Sequence, residues 1–411
     1  MSNPPIKRLR LSNFKLNSLL AITEAINENL STEELLSRYE ELLKKDMNIG
    51  KIVLFKFSGN WDCILSSGVE KSYISKINVI RDLASFREIS FVTSTHIPVL
   101  DAFDIVIPVY KNNTPLAYVL IGDIEEGEGV SPVIKHLHFV QTLSNIIVVA
   151  IENIRLFNES LRQEALKKEL ELASKMQSML IPRKETLPRN EKLHLTAFYH
   201  PHFDVGGDYY DCIILNKDEV GFCIADVSGK GISAALLMSN FQANLRALFT
   251  HEISLPALVE RLNERVISSA NGEKFITLFI AKFNYRTNDL VYINAGHNAP
   301  ILYKVHSRKL IYLKSGCVGM GMLDEIPSIK PETITITSHT KLLCYTDGLV
   351  ELLDEKEVGY GTQVIEERIS NNGSIEDNID AIIKKQGILE GSTAIFDDIT
   401  MLGAEFIGYK T

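Results

Sequence analysis

The sequence predicts an α+β protein with two domains joined by a helical linker. Its 411 residues exceed what one ordinary hydrophobic core accommodates, so at least two domains are expected. A polar stretch of strong helix formers begins near residue 156. From residue 191 onward, short apolar strand signals alternate with turns and with two helical segments. We therefore predict an N-terminal domain over residues 14–155, a linker over 156–190 and a C-terminal domain over 191–407.

Composition limits the classes of function that the chain can have. Hydrophobic residues make up 45% and charged residues 23%, which is typical of a soluble globular protein. The formal net charge of -9 argues against nucleic-acid binding, because phosphate backbones attract basic surfaces. The five cysteines contain no CxxC pair and are expected to be reduced thiols. The most apolar stretch, Ile146–Ile151, is far shorter than the roughly 20 residues that a membrane span needs, so we expect a cytoplasmic protein.

The N-terminal domain combines helical and strand signals. Apolar residues from Leu16 to Leu30 follow helical spacing, and Ser31 with Glu34 has the pattern of a capping box for a second helix. A long helix is expected to begin near Val133 and to continue past Asn158. Strand-like runs occupy residues 51–57, 105–110 and 116–121, with a hairpin loop at 111–115. This order of elements resembles a GAF domain, and a PAS-like sensor is the nearest alternative.

The linker carries a short heptad pattern. Five positions step by 4, 3, 4 and 3 residues, and they are Leu166, Leu170, Ala173, Gln177 and Leu180. An adjacent stripe repeats every seven residues at Ala165, Leu172 and Met179. Such a narrow apolar seam predicts a parallel coiled coil and hence a homodimer. The alternative is an amphipathic helix that packs on its own chain. In either case Pro182 ends the helix.

The C-terminal domain reads as an α+β domain rich in antiparallel hairpins. The two predicted helices cover residues 231–249 and 255–266. Predicted strands cover residues 219–227, 275–285, 290–294, 301–305, 309–313, 333–337, 341–345 and 400–404.

Four acidic motifs in this domain share one local design. Each places aspartate where an apolar strand meets a turn, and the motifs are DVGGDYYD (204–211), ADVSGKG (225–231), YTDG (345–348) and FDDIT (396–400). Aspartate is depleted inside strands, so these junctions gather carboxylates at one rim of a sheet. Such a cluster needs cations to offset its repulsion, and hard oxygen ligands suit Mg²⁺ or Mn²⁺. Two such ions can lower the pKa of a bridging water and supply a hydroxide nucleophile.

The motifs, together with NAGHNAP (294–300), occur in the order found in PPM (PP2C-like) phosphatases. Residues 190–405 resemble the bacterial SpoIIE/RsbU type of that family. The resemblance implies an α-β-β-α sandwich and two divalent cations, Mn²⁺ or Mg²⁺. It implies that Asp226 bridges the two cations and that Asp208 belongs to the same cluster. Asp347 and Asp397 would complete the second cation site.

The same resemblance assigns supporting positions. The backbone carbonyl of Val227 would be a cation ligand, and Asp398 would bind a further cation or cap a turn. Residues expected to support these ligands are Gly207, Asp211, Gly229 and His297.

The resemblance implies a serine/threonine phosphoprotein phosphatase whose substrate is a small phosphorylated STAS-domain regulator. The N-terminal domain and the linker would control it, with the helix after Gly231 and the helix over 255–266 as the switching element. Two other functions stay open. GGDYY (206–210) superficially resembles the GGDEF hairpin of diguanylate cyclases, and a degenerate phosphatase would act as a non-catalytic scaffold.

Overall fold

The computed structural model describes residues 4–94, 97–124, 136–314, 316–353, 359–390, 393 and 395–407. The chain divides into two compact units, Met1–Ala165 and Leu166–Thr411. The boundary between them falls inside one continuous helix rather than at a loop.

The first unit is built on a five-stranded antiparallel sheet with the strand order β2-β1-β5-β4-β3. The strands are β1 (Ile49–Phe57), β2 (Trp61–Ser67), β3 (Ser90–Phe91), β4 (Ile105–Lys111) and β5 (Thr114–Ile124). The helices are α1 (Pro4–Asn27), α2 (Thr32–Glu41), α3 (Lys71–Ile74), α4 (Val79–Asp82) and α5 (Leu137–Ser178). These bounds confirm the three predicted strands and the hairpin between β4 and β5. The predicted helix start near Val133 lies outside the described residues.

The first unit has a hydrophobic core on each face of its sheet. Strand β1 contributes to both, because successive side chains in a strand point to opposite faces. Ile52 and Leu54 join one core with α2 and α5, whereas Val53 and Phe55 join a second core on the other face. The predicted capping box is confirmed, since the Ser31 side chain accepts from the backbone N–H of Glu34.

Helix α5 has 42 residues and is therefore about 63 Å long at 1.5 Å per residue. Its N-terminal turns are buried in the first unit, for example at Val140, Leu143 and Ile147. By length and composition alone, α5 could cross a membrane, but half of its most apolar window is buried inside the protein. Core helices of soluble proteins pass the same test, so this feature is weak support for a span.

The linker part of α5 departs from a uniform seam. Of the predicted seam residues, Leu166 and Ala173 are exposed, whereas Leu170 and Leu180 are partly buried. Gln177 is buried because its side-chain amide donates to the carbonyl of Gly206 at 2.7 Å and accepts from its N–H at 3.1 Å. The end of the helix therefore packs on its own chain, which is the predicted alternative realised over its last turn.

The second unit contains two five-stranded antiparallel sheets. The first has the order β13-β10-β9-β8-β7 and consists of β7 (Tyr209–Ile214), β8 (Glu219–Val227), β9 (Ile276–Asn284), β10 (Asp289–Ala295) and β13 (Glu332–Thr335). The second has the order β12-β11-β14-β15-β6 and consists of β6 (Leu193–His200), β11 (Ile301–Lys304), β12 (Lys309–Tyr312), β14 (Thr340–Tyr345) and β15 (Ile399–Phe406). The helices are α6 (Ile232–Leu248), α7 (Leu255–Ala270), α8 (Asp347–Val350), α9 (Gln363–Ile369) and α10 (Ile375–Lys385).

The two sheets face each other, and helices cover their outer faces. Leu342 of β14 joins the core shared with α6, α7 and the first sheet, whereas the next residue, Leu343, joins a second core with α9 and α10. The rings of Phe283 and Phe406 meet across the sheets at 4.8 Å between centroids. The predicted α-β-β-α sandwich is thus confirmed. The two predicted helices are confirmed as α6 and α7, whereas the helices α9 and α10, which pack against the second sheet, were not predicted.

Candidate active site

The four acidic motifs lie where strands of the two sheets end together. In the first sheet, Tyr209 pairs with Ala225, which places the preceding Asp208 beside Asp226. In the second sheet, β14 leads into Asp347 while Asp397 and Asp398 precede β15, and β14 and β15 are neighbours. Antiparallel pairing therefore brings these side chains to one rim of the sandwich.

Asp208 is fully buried and is held by the opposite sheet. Its Oδ2 accepts hydrogen bonds from the hydroxyls of Thr346 at 2.8 Å and Thr400 at 2.5 Å. Burial raises the pKa of Asp208 well above its ordinary value, and the charges of Asp226 and Asp398 raise it further. A carboxylate of one sheet thus depends on two threonines of the other for its orientation.

Asp226 lies in the field of several other carboxylates. Burial raises the pKa of Asp226 to about 7, and the charges of Asp347, Asp397 and Asp398 add to that increase. The pKa of Asp347 is also raised, first by burial and then by Asp397. Like charges brought together in this way disfavour ionisation, and a cation at the rim would relieve their repulsion.

Asp398 organises the loop that precedes Asp208. Its Oδ1 accepts from the backbone N–H of His202 at 2.8 Å, and its Oδ2 accepts from the N–H of Gly207 at 2.7 Å. A Cβ atom on Gly206 would lie 2.4 Å from Asp398 Oδ2, so this approach requires glycine. The structure gives the Asp398 carboxylate the position of a turn cap, which is one of the two roles expected for it.

The glycines predicted to support the ligands stand at close backbone approaches. A Cβ atom on Gly207 would lie 3.0 Å from the Val227 carbonyl oxygen, so Gly207 leaves room beside that expected ligand. Gly229 has a φ of +81°, a left-handed conformation that favours glycine. It lies in the loop from Ser228 to Gly231, whose Lys230 Nζ contacts Asp397 Oδ2 at 2.8 Å.

Asp211 belongs to a different cluster. Its two carboxylate oxygens accept from the guanidinium of Arg246 at 2.8 and 2.9 Å, and the hydroxyl of Tyr209 also donates to it. The pair joins helix α6 to strand β7. In the register of β7 and β8, Asp211 pairs with Cys223, three positions along the strands from Asp208 and Asp226. The structure therefore does not bring it together with the rim carboxylates.

His297 ties the neighbouring strands together. Its Nδ1 lies 2.9 Å from the hydroxyl of Thr277, the residue that pairs with Asp226 across β8 and β9. Burial lowers the pKa of His297 to about 4, with a smaller opposing effect of the Tyr345 carbonyl. The imidazole is therefore neutral at pH 7 and supports the strand beside Asp226.

Sequence reasoning missed three side chains that contact this site. Lys230 lies inside the ADVSGKG motif, and Thr346 and Thr400 lie inside the YTDG and FDDIT motifs. Their position within acidic motifs is a usable signal, because hydroxyl and ammonium donors stabilise nearby carboxylates.

The donor chemistry of the rim fits hard divalent cations. The predicted ligands are carboxylates and one backbone carbonyl, and oxygen donors suit Mg²⁺ and Mn²⁺. Throughout the described ranges, no three Asp, Glu, His or Cys side chains converge closely enough to hold a metal ion as they stand. The carboxylates thus share a rim without forming a closed ligand shell.

Comparison with known structures defines the class of this unit. The SiaA-PP2C domain of Pseudomonas aeruginosa superposes with a TM-score of 0.52 at 18% sequence identity, covering 60% of this chain and 98% of that domain. The second unit therefore has the PP2C fold. Residues 216–407 match the family described as Stage II sporulation protein E (SpoIIE), the same family that the motifs resemble.

Matches to three sequence relatives cover between 45% and 58% of the chain. Protein IcfG of Synechocystis is 27% identical over 263 residues, which cover 57% of this chain and 41% of that protein. Phosphoserine phosphatase RsbU of Bacillus subtilis is 26% identical over 245 residues, covering 58% of this chain and 70% of RsbU. Phosphoserine phosphatase RsbP of the same organism is 24% identical over 189 residues, covering 45% of this chain and 46% of RsbP. The PP2C fold leaves the cyclase alternative without support.

Proposed function

We propose that this protein is a metal-dependent phosphatase that hydrolyses phosphoserine or phosphothreonine in a protein substrate. The observation that carries the proposal is the buried Asp208 beside the half-buried Asp226, with further carboxylates around them at the joint end of two sheets. Burying like charges together disfavours folding, so their arrangement points to function rather than to stability. The relatives named phosphoserine phosphatases support the same reaction.

Two divalent cations, Mn²⁺ or Mg²⁺, would be held by the rim. Their ligands would be Asp208, Asp226, Asp347, Asp397 and the carbonyl of Val227, with Asp398 left to order the adjacent loop. When bound, such cations act as Lewis acids toward phosphate oxygens and lower the pKa of water.

The chain's own residues hold this arrangement in place. Thr346 and Thr400 fix the orientation of Asp208, and His297 with Thr277 supports the strand beside Asp226. Preorganised side chains of this kind avoid the cost of rearrangement during the reaction.

For the substrate and its control, we propose a small phosphorylated STAS-domain regulator and a GAF-like N-terminal domain. A homodimer would form through the linker helix. Its exposed apolar side chains support this proposal, since Leu166, Leu172, Met176 and Met179 are each more than half exposed. These four exposed residues lie on two sides of the helix. The surface proposed to pair in the dimer is therefore wider than the seam predicted from Leu166, Leu170, Ala173 and Leu180.

The deciding experiment measures hydrolysis of p-nitrophenyl phosphate and of a phosphoserine peptide by the full chain. Each is assayed with Mn²⁺, with Mg²⁺ and with EDTA. We expect turnover that needs the metal and is lost in Asp226→Asn. Asp218→Asn is the matched control, because this carboxylate lies just before the opposite end of β8 and contacts Arg286 at 3.9 Å. A folded wild type without turnover under any metal condition favours the scaffold.

Light scattering on the wild type and on Leu172→Glu tests the dimer separately. We expect the wild type to be dimeric and the variant to shift toward monomer, because a charge in an apolar seam opposes pairing. A monomeric wild type contradicts the linker proposal and leaves the phosphatase proposal unaffected.

A further inference from the structure

Exposed apolar side chains surround the carboxylate rim. They are Phe203 at 52% exposure, Ile232 at 57%, Leu236 at 67% and Phe396 at 57%. Single exposed apolar residues are ordinary, but several around one polar site are typical of an interaction surface. We call these four residues the apolar rim.

Contacts on the second unit show that the segments carrying the apolar rim meet at the aspartates. Asp398 accepts from the backbone N–H of His202, whose ring packs against Phe203 with 4.2 Å between centroids. Lys230 contacts both Asp397 and the carbonyl of Phe396. Because Lys230 immediately precedes α6, the same contact brings the start of that helix to the rim.

Helix α6 concentrates its exposed apolar residues at the end nearest the aspartates. Ile232 and Leu236 are one helical turn apart and share a face. The next position on that face is the exposed polar residue Asn240. Burial in the protein core does not explain this distribution, since the buried face of the helix is formed by other residues such as Ala234 and Met238.

We propose that the apolar rim binds the residues flanking the phosphoserine of a protein substrate, and that these residues carry apolar side chains. The inference rests on the proposed phosphatase function. A phosphoserine seated at the aspartates places residues two or three positions away about 7–10 Å along an extended chain, so their side chains fall on the surface around the aspartates. The chain is acidic overall, so an attraction that does not depend on charge suits the residues that flank the phosphoserine.

Two synthetic phosphoserine peptides test the proposal. One has leucine and phenylalanine at the positions flanking the phosphoserine, and the other has serine there. With the full chain and Mn²⁺, we expect kcat/KM for the apolar peptide to exceed that for the polar peptide by about tenfold, the effect of burying a few apolar groups. The double variant Ile232→Ser/Leu236→Ser is expected to bring the ratio near one.

Ile214→Ser is the matched control, because Ile214 is 75% exposed at the far end of β7. It should keep the wild-type ratio. Fluorescence anisotropy with Asp226→Asn measures binding of both peptides without turnover. Equal kcat/KM and equal binding of the two peptides by the wild type would overturn the docking proposal. Absence of hydrolysis together with preferential binding of the apolar peptide would instead contradict the phosphatase function and retain the surface.

Discussion

The Lys56–Glu152 pair of the first unit and the Asp208–Asp226 site of the second unit treat buried charge in opposite ways. In the first unit, the buried Lys56 contacts Glu152 of α5 at 2.5 Å, and Glu152 also pairs with Arg155. Arg155, together with Lys56, lowers the pKa of Glu152 to about 2 against the opposing effect of burial. In the second unit, burial and neighbouring carboxylates raise the pKa of Asp226 to about 7. A charge held in an ion pair indicates a structural role, whereas several carboxylates gathered around a single lysine, Lys230, indicate a site that needs a ligand.

The largest expected effect is the loss of activity at the carboxylate cluster of the second unit. Asp226→Asn should lower kcat/KM by on the order of 1,000-fold or more, as is typical when a central catalytic group is removed. Without metal, the same variant should be at least as stable as the wild type, because it loses a repelled charge. Steady-state kinetics and thermal unfolding in EDTA measure the two effects. A variant that is inactive and also much less stable would contradict the contrast between the units.

Substitution in the Lys56–Glu152 pair of the first unit should lower stability instead. Glu152→Gln leaves Lys56 buried without its carboxylate partner, which should lower the free energy of unfolding of the first unit by about 3 kcal/mol. Glu159→Gln on the exposed part of the same helix is the control and should change little. Urea unfolding followed by the fluorescence of Trp61, the chain's single tryptophan, reports on this unit. Equal effects of both substitutions would mean that the buried pair does not stabilise the unit.

Metal should stabilise only the second cluster. Mn²⁺ at about 100 times its dissociation constant should raise the free energy of unfolding by about 2.7 kcal/mol, since it binds the folded state alone. Asp226→Asn should lose most of this gain, whereas Glu152→Gln should keep it. Calorimetry with and without EDTA separates these cases, and an equal gain in both variants would place the metal away from the rim.

The smallest effect is the change in stability for each pH unit in EDTA. Asp226 binds its proton more tightly folded than unfolded, so its contribution to stability falls as pH rises from about 4 to about 7. Glu152 behaves oppositely, and its contribution rises between about pH 2 and 4.5. Each group changes the free energy of unfolding by at most about 1.4 kcal/mol per pH unit. Asp226→Asn should flatten the slope between pH 4 and 7, and an unchanged slope would assign it to other groups.

Most of the sandwich can be predicted from the sequence, because its strands and its two amphipathic helices bury apolar side chains that recur at regular spacing. Helix α10 was missed although Ser374 and Asp377 form a capping box, because aspartate replaces the usual glutamate at the third position. The acidic motifs are visible because each stands at a strand end. The sequence does not show that Asp211 lies apart from the other aspartates. Its position is set by the ion pair with Arg246, which is 35 residues away in the sequence. A contact of this kind between a helix and a strand has no signature in local sequence.

Gln177 connects helix α5 to the candidate active site through two hydrogen bonds. Both of its hydrogen bonds go to Gly206, two residues before Asp208, and a third contact links the adjacent Gly207 to Asp398. Turning or sliding the helix by a fraction of a turn would break the donor and the acceptor bond together. Because both bonds are lost together, we expect the loop that precedes Asp208 to have two discrete conformations, one with and one without these hydrogen bonds.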